Sequence, residues 1–276
     1  MSAAMKLSLA GLKHAIKPGP TVSVLRLYGA IGIGGSFGRG LDDESLAPIV
    51  ERAFQPKRLK AVALAINSPG GSPAQSALIA ARIRRLAEEK EVKVYAFVED
   101  LAASGGYWLA CAADEIYADA NAILGSIGVV SAGFGFHEAI GRIGVERRVH
   151  TAGESKSLLD PFRPEKAEDV ARLERLQKGI HANFIDHVTR ARGDRLRGED
   201  GDLFTGDVWL AEEAERLGLI DGVGHLVPTM KTRYGDDVSF NVARPRKCLL
   251  QRLGAPGAGD LIAAVEERAL YARYRP

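Results

Sequence analysis

Only two of the 276 residues are cysteine, Cys111 and Cys248, and they lie far apart with no CxxC pair. That excludes a disulfide framework and a thiolate zinc site, and it makes a reducing compartment the expectation. Neither sign of charge is in excess. With 37 Lys+Arg against 35 Asp+Glu, no global field draws the chain to nucleic acid, although the last third is richer in arginine. Long apolar runs are missing near the N-terminus, where the longest uncharged stretch after Lys6 is Leu7 to Leu12. Such a run is too short to span a bilayer or to act as a signal h-region. The expectation is a soluble, cytoplasmic chain with no transmembrane segment or signal peptide. Metal-pair spacing is absent too: His181 and His187 are not i, i+4 partners, so no metal is expected. The glycine-rich run Gly29 to Gly40 lacks the Gly-Lys-Ser/Thr ending and the Rossmann spacing. It therefore reads as a loop over a cleft rather than a nucleotide site, and no cofactor of any kind is expected.

What is present is alternation of strand and helix. Thr21 to Tyr28 alternates apolar and polar residues as a strand does, and Ala61 to Ile66 is a continuous apolar run suited to a strand covered on both faces. Ser45 to Phe54 reads as a short helix. Ser72-Pro73-Ala74-Gln75 supplies a capping serine, a proline at the first helical position and a glutamine at N3, ahead of Leu78, Ile79, Ile83 and Leu86 at helical spacing. Val92 to Val98 is the next strand, Ser104 to Ala112 the next helix, and Glu115 to Tyr117 and Ala122 to Val130 add short strands. Val145 to His150 is expected as a strand, Pro164 to Arg192 as one long amphipathic helix, and Asp207 to Leu217 as a helix closed by Gly218. The pattern predicts an α/β domain with a largely parallel sheet whose strand C-termini carry the functional loops. The compact domain is expected to end near His225. Beyond it lies an arginine-rich stretch, with Asp260 to Tyr274 as a candidate amphipathic helix on a solvated tail or docked on a neighbour or a membrane surface.

Ser104 carries the chemistry in this reading. It sits where an apolar strand turns into a helix and is followed by Gly105-Gly106, which allow a sharp turn and leave N–H groups free beside a helix N-terminus. Taken alone, the same serine would serve as a helix cap. A second strand-to-helix junction, Asn67-Ser68-Pro69-Gly70-Gly71, offers a glycine N–H that could join that of Gly105 around a developing negative charge. No histidine lies in a suggestive context near Ser104; His137 and His150 are the nearest downstream. Lys156, among small and polar residues in Thr151 to Ser157, is the candidate base. Its amine would have to be held uncharged at neutral pH, far below the usual lysine range near about 10.4, with Glu154 and Asp160 turned away from it.

The motifs AINSPGGSP, EDLAASGGYWLACAADEIYA, LGSIGVV, GESK before DPF, and GLIDGVG, in that order from about Val22 to about Gly224, together resemble the S49 family of serine peptidases, the signal peptide peptidase A group. The resemblance implies Ser104 as nucleophile, Lys156 as general base, Gly71 and Gly105 as oxyanion donors, Gly70 as shaper of the turn, and Ser126 as the hydroxyl that orients the lysine. It implies a Clp protease/crotonase-like spiral of repeated β-β-α units, as a single domain with a C-terminal extension: an N-terminal segment 1–20, a peptidase domain 21–225 and an extension 226–276. The expected activity is that of a serine endopeptidase cutting signal peptides or other hydrophobic segments. The expected partners are a peptide substrate, identical subunits in a ring or dome that complete the active site, a peripheral contact with the inner membrane, and no nucleic acid. Many relatives carry an N-terminal anchor or a tandem second copy, and this chain is expected to be a short form. A Clp-like Ser-His-Asp site is disfavoured because Val129 to Gly133 lacks the histidine, and no crotonase-like acidic pair is found. A catalytically silent scaffold that binds peptides or membrane partners is the alternative from another class.

Overall fold

A computed structural model describes residues 19–32, 40–153, 156–198, 203–244 and 258–274. The expected N-terminal segment, most of the glycine-rich loop, Glu154, Ser155 and much of the arginine-rich stretch lie outside these residues. The sheet is built on β2 (Leu59–Ser68), which pairs in parallel with β1 (Thr21–Tyr28) on one side and with β3 (Lys93–Ala103) on the other. That central place is why Ala61 to Ile66 carries no polar residue: all six are buried. β3 is long enough to serve two partners. Its first half pairs with β4 (Glu115–Ala118) and its last three residues pair with β5 (Ile123–Gly125), all in parallel. Between the two halves, Ile66 lies opposite Val98 but Ser68 lies opposite Ala102, so β3 carries two extra residues there. The bulge bends the strand end and aims it at the turn that follows.

The remaining strands complete one sheet: β6 (Val208–Leu210) runs antiparallel to β5, β7 (Gly222–Val223) pairs with β4, and β8 (Ser239–Val242) pairs with β1. One face is covered by α1 (Asp43–Ala53), α2 (Pro73–Lys90) and α3 (Gly105–Ala110), which share a core with the C-terminal part of the long helix α5 (Ala167–Arg192). The capping serine of α2 is where its sequence placed it, accepting from the Gln75 N–H at 3.4 Å. The opposite face is closed by α7 (Leu226–Tyr234), whose Met230 is fully buried beside Val22, Ala61, Ala63 and Phe97. Sheet and core therefore continue past His225 to Val242.

Two local expectations fail for identifiable reasons. Val145 to His150 forms no strand: it is exposed in an arm with no sheet edge to join, and among the described residues of that arm, 129 to 166, the one regular element is the short helix α4 (His137–Arg142). Asp207 to Leu217 is split, because Val208–Leu210 adds an edge strand to β5 before helix α6 (Ala211–Arg216) begins. Tertiary pairing overrides helical periodicity there.

The last turns of α5 lock α3 in place. Arg192, almost wholly buried, donates to both carboxylate oxygens of Asp221 at 2.7 and 3.1 Å and to the Gly218 carbonyl at 2.8 Å. Burial alone would raise the Asp221 carboxyl, but the Arg192 hydrogen bonds and the Ile116 N–H hold it below the usual range. Removing one partner of such a pair typically costs about 3–5 kcal/mol. The neighbouring Tyr107 hydroxyl of α3 donates to the Leu219 carbonyl at 2.6 Å. One turn back on α5, the His187 ring stacks on Trp108 at 4.6 Å and its Nε2–H donates to the Trp108 carbonyl at 3.0 Å.

Burial depresses the His187 pKa below 6.5. Below pH 6.5 the unfolded chain therefore binds a proton that the folded chain resists, so stability is present above that pH and lost as pH falls. Urea midpoints are expected to drop between pH 7 and 5.5 in the wild type and to drop less in His187→Gln. Equal pH slopes for the two proteins would contradict this assignment.

Candidate active site

Ser104 occupies the single residue between β3 and α3, with φ 52° and ψ −120°. A non-glycine residue held there stores about 1–3 kcal/mol of strain, and two backbone hydrogen bonds hold it. Its N–H donates to the Gly125 carbonyl at 2.7 Å, and its carbonyl accepts from the Trp108 N–H at 3.0 Å. The side chain makes no cap bond to the helix it opens. The capping role that the sequence allowed is therefore not what Ser104 does, and its half-buried hydroxyl is left for other use.

The Asn67–Gly71 turn presses against this serine. Gly70 has φ +93°, and a Cβ built on it would lie 2.7 Å from the Gly105 nitrogen and 2.8 Å from Ser104 Cβ, so no side chain fits between the two turns. From the other side, a Cβ on Gly105 would lie 2.4 Å from Ser76 Oγ at the start of α2. Gly71 forms a parallel bridge with Ile31, in which the Ile31 N–H donates to the Gly70 carbonyl and the Ser72 N–H to the Ile31 carbonyl, both at 2.8 Å. In that pattern the N–H of Gly71 itself points away from Ile31.

Ser68 is a residue that motif reading passed over. Fully buried, its hydroxyl donates to the Gly29 carbonyl at 2.7 Å and accepts from the Gly70 N–H at 3.2 Å, tying β1 to the turn. A polar residue ending an otherwise apolar strand just before Pro-Gly-Gly was its only signal.

Ser126 also has a positive φ, 50°, and follows Gly125, the residue that receives the Ser104 N–H. Its Oγ accepts from the Tyr274 hydroxyl at 3.0 Å. Tyr274 lies in the turn just after the terminal helix α8 (Ala258–Ala272), along the site edge. Between the end of that helix and the strand ends is a cavity of about 370 Å³ lined by Asn67, Asp100, Leu101, Ile123, Tyr271 and Tyr274.

Lys156 is placed elsewhere. It is exposed in a turn of the 129–166 arm, its N–H donating to the Gly153 carbonyl at 3.2 Å. Among the described residues no hydrogen bond joins it to Ser104. Asp160 is turned to Arg147 at 3.3 Å and to the Phe162 N–H at 3.0 Å. The structure thus brings Ser104, Gly70, Gly105 and Ser126 together within one chain, and leaves the lysine on the arm. Three histidines are occupied otherwise: His181 at the Ile127 carbonyl, His187 at the Trp108 carbonyl and His225 at Asp119.

The family model of peptidase family S49 matches residues 86–233. The chain is 50% identical over 271 residues to the Na(+)/H(+) antiporter NhaA of Brucella melitensis, covering 92% of this chain and 36% of that protein. It is 33% identical over 208 residues to the chloroplastic serine protease SPPA of Arabidopsis thaliana, covering 74% of this chain and 29% of that one. The chain thus spans only about a third of the length of these relatives. Among its described residues no helix is long and apolar enough to cross a membrane. A solved mutant of the 1510-N membrane-bound stomatin-specific protease, in complex with a substrate peptide, aligns at TM-score 0.51 and 14% identity over 90% of this chain and 98% of that one. This likeness bears out the mixed α/β, Clp protease/crotonase-like fold expected from the sequence. With the family match running through Ser104, the Ser126 turn and Lys156, the chain belongs to peptidase family S49.

Proposed function

We propose that this chain is a serine endopeptidase that cleaves extended, hydrophobic peptide segments, signal peptides among them, through an acyl-enzyme on Ser104. The observation that carries the reading is the strained serine whose hydroxyl caps nothing, set against a glycine turn that leaves room for no side chain. In the reaction, Ser104 Oγ attacks the scissile carbonyl carbon while a neutral Lys156 amine takes the hydroxyl proton. Electrons move onto the carbonyl oxygen, which the N–H groups of Gly71 and Gly105 receive; one such donor is worth about 3 kcal/mol of barrier. The lysine ammonium then protonates the leaving amine as the C–N bond breaks. Water, deprotonated by the same amine, releases the acyl group. Ser126 orients the lysine by hydrogen bonding.

The exposed arm supports a dyad shared between subunits. Phe134, Ile143 and Val145 are largely exposed on it, as is Leu176 on α5, a surface suited to a second copy of the chain. Covering it would also remove water from around Lys156, as a neutral amine requires. The solved neighbour holding a substrate peptide is a lysine-to-alanine mutant, consistent with a lysine needed for turnover in that protein. The separation of Lys156 from Ser104 within one chain equally suits a silent peptide-binding scaffold, and the following measurements distinguish the two.

Ser104→Ala is expected to lower hydrolysis of an apolar fluorogenic peptide by more than about a thousandfold while leaving the thermal midpoint within a few degrees. Undiminished hydrolysis would remove Ser104 from the reaction, and a wild type without hydrolysis would favour the scaffold.

Mixing Ser104→Ala with Lys156→Ala, each inactive alone, is expected to restore activity at up to about a quarter of the sites when subunits exchange. Subunit exchange without recovery would show that the dyad does not form between chains.

A further inference from the structure

Among the described residues, hydrogen bonds from the terminal helix α8 and the turn after it reach three different walls of the site. Glu267 Oε1 accepts from the Ala30 N–H at 3.3 Å, the Tyr271 hydroxyl donates to the Asn67 carbonyl at 2.9 Å, and the Tyr274 hydroxyl donates to Ser126 Oγ at 3.0 Å. Glu267 and Tyr271 stand at i and i+4 on one face of the helix, and Tyr274 lies in the turn that follows Ala272, its N–H donating to the Tyr271 carbonyl at 3.1 Å. Ala30 precedes Ile31, the bridge partner of Gly71; Asn67 opens the Gly70–Gly71 turn; Ser126 stands next to the residue that holds the Ser104 N–H. From these three contacts we infer that α8 is an inhibitory segment docked on the mouth of its own active site, and that a peptide must displace it before Ser104 can be acylated.

The way α8 is held fits a segment that leaves. None of its described side chains belongs to the buried core, and Val265 is 68% exposed. The sheet and both core clusters are complete by Ala243, so undocking the helix costs no core packing. Tyr274 meanwhile stands against the hydroxyl to which the proposed function gives the lysine, so in the docked state a phenol fills the place an incoming amine has to take. The cavity beneath Tyr271 and Tyr274, walled by Leu101 and Ile123 with Asp100 at its edge, is the space that lifting the helix opens to a substrate side chain.

This inference rests on Ser104 being the nucleophile, and its test separates the two. The full chain, the chain ending at Gly257, and the full-length double variant Tyr271→Phe/Tyr274→Phe are compared in the rate at which an alkyl fluorophosphonate phosphonylates Ser104, with loss of fluoride. If the helix is docked about nine-tenths of the time, truncation raises that rate about tenfold and the double variant raises it in the same direction. A synthetic peptide of residues 258–276 added to the truncated chain slows phosphonylation again. An equal or slower rate in the truncated chain, with an unchanged thermal midpoint, would make α8 a supporting wall and overturn the proposal. Fluorescence anisotropy of the same peptide, labelled, gives a readout that needs no chemistry at Ser104. Saturable binding to the truncated chain, weakened severalfold by Tyr271→Phe/Tyr274→Phe in the peptide, is expected, and no binding would overturn the docking even if no protein were phosphonylated. Phosphonylation of no form, with the peptide bound, would instead count against the nucleophile assignment alone.

Discussion

Everything at this site depends on two strand-to-helix turns meeting without a side chain between them. Gly70 at φ +93° lies against Ser104 Cβ and the Gly105 nitrogen, and Gly105 in turn lies against Ser76 of the next helix. Close approach of this kind is possible only where Cβ is absent, and it brings backbone N–H groups from separate segments to one place. The surrounding structure sustains the strain at Ser104: the Gly125 carbonyl holds its N–H, the Trp108 N–H holds its carbonyl, and buried Ser68 fixes the opposing turn to β1. Behind α3 the Arg192–Asp221 pair and the Tyr107 hydroxyl anchor the helix that starts after Ser104.

Rigidity is distributed unevenly around this centre. The serine and both glycine turns belong to a sheet whose central strand is buried along its apolar length, whereas Lys156 sits on an exposed arm and the terminal helix is tied down by polar contacts outside the core. On the proposed function, such an arrangement would keep Ser104 and the glycine N–H groups preorganised in a single chain, and would leave to association and to displacement of the helix the steps that bring a base and a substrate to them. Control of that kind would suit a peptidase, since an isolated subunit would spare proteins it meets.

Much of this was legible because it follows from local chemistry. The apolar AVALAI run and the Ser72-Pro73 helix start each have one physical reading that the fold did not override, and Ser104-Gly105-Gly106 marked a strand-to-helix turn without settling whether its serine caps the helix. What escaped were features set by distant partners. Val208–Leu210 is a strand only because β5 leaves an edge beside it. Met230 is core only because α7 folds back over the far face of the sheet, which carried the ordered structure beyond the His225 boundary. Asp221 looked like part of a glycine-capped turn, and nothing local announced the arginine 29 residues earlier that it pairs with. Asp260 to Tyr274 reads as a candidate amphipathic helix, but the partners of Glu267, Tyr271 and Tyr274 lie more than a hundred residues away.

The most direct measurement is tandem mass spectrometry of the full chain after reaction with an alkyl fluorophosphonate. A single phosphonyl adduct on Ser104 is the expected result, because its hydroxyl sits where the two glycine turns meet and caps nothing, whereas those of Ser68 and Ser76 are bound to the Gly29 and Ser72 carbonyls. An adduct on any other serine, or none under conditions that modify a known serine peptidase, would contradict the role assigned to those turns.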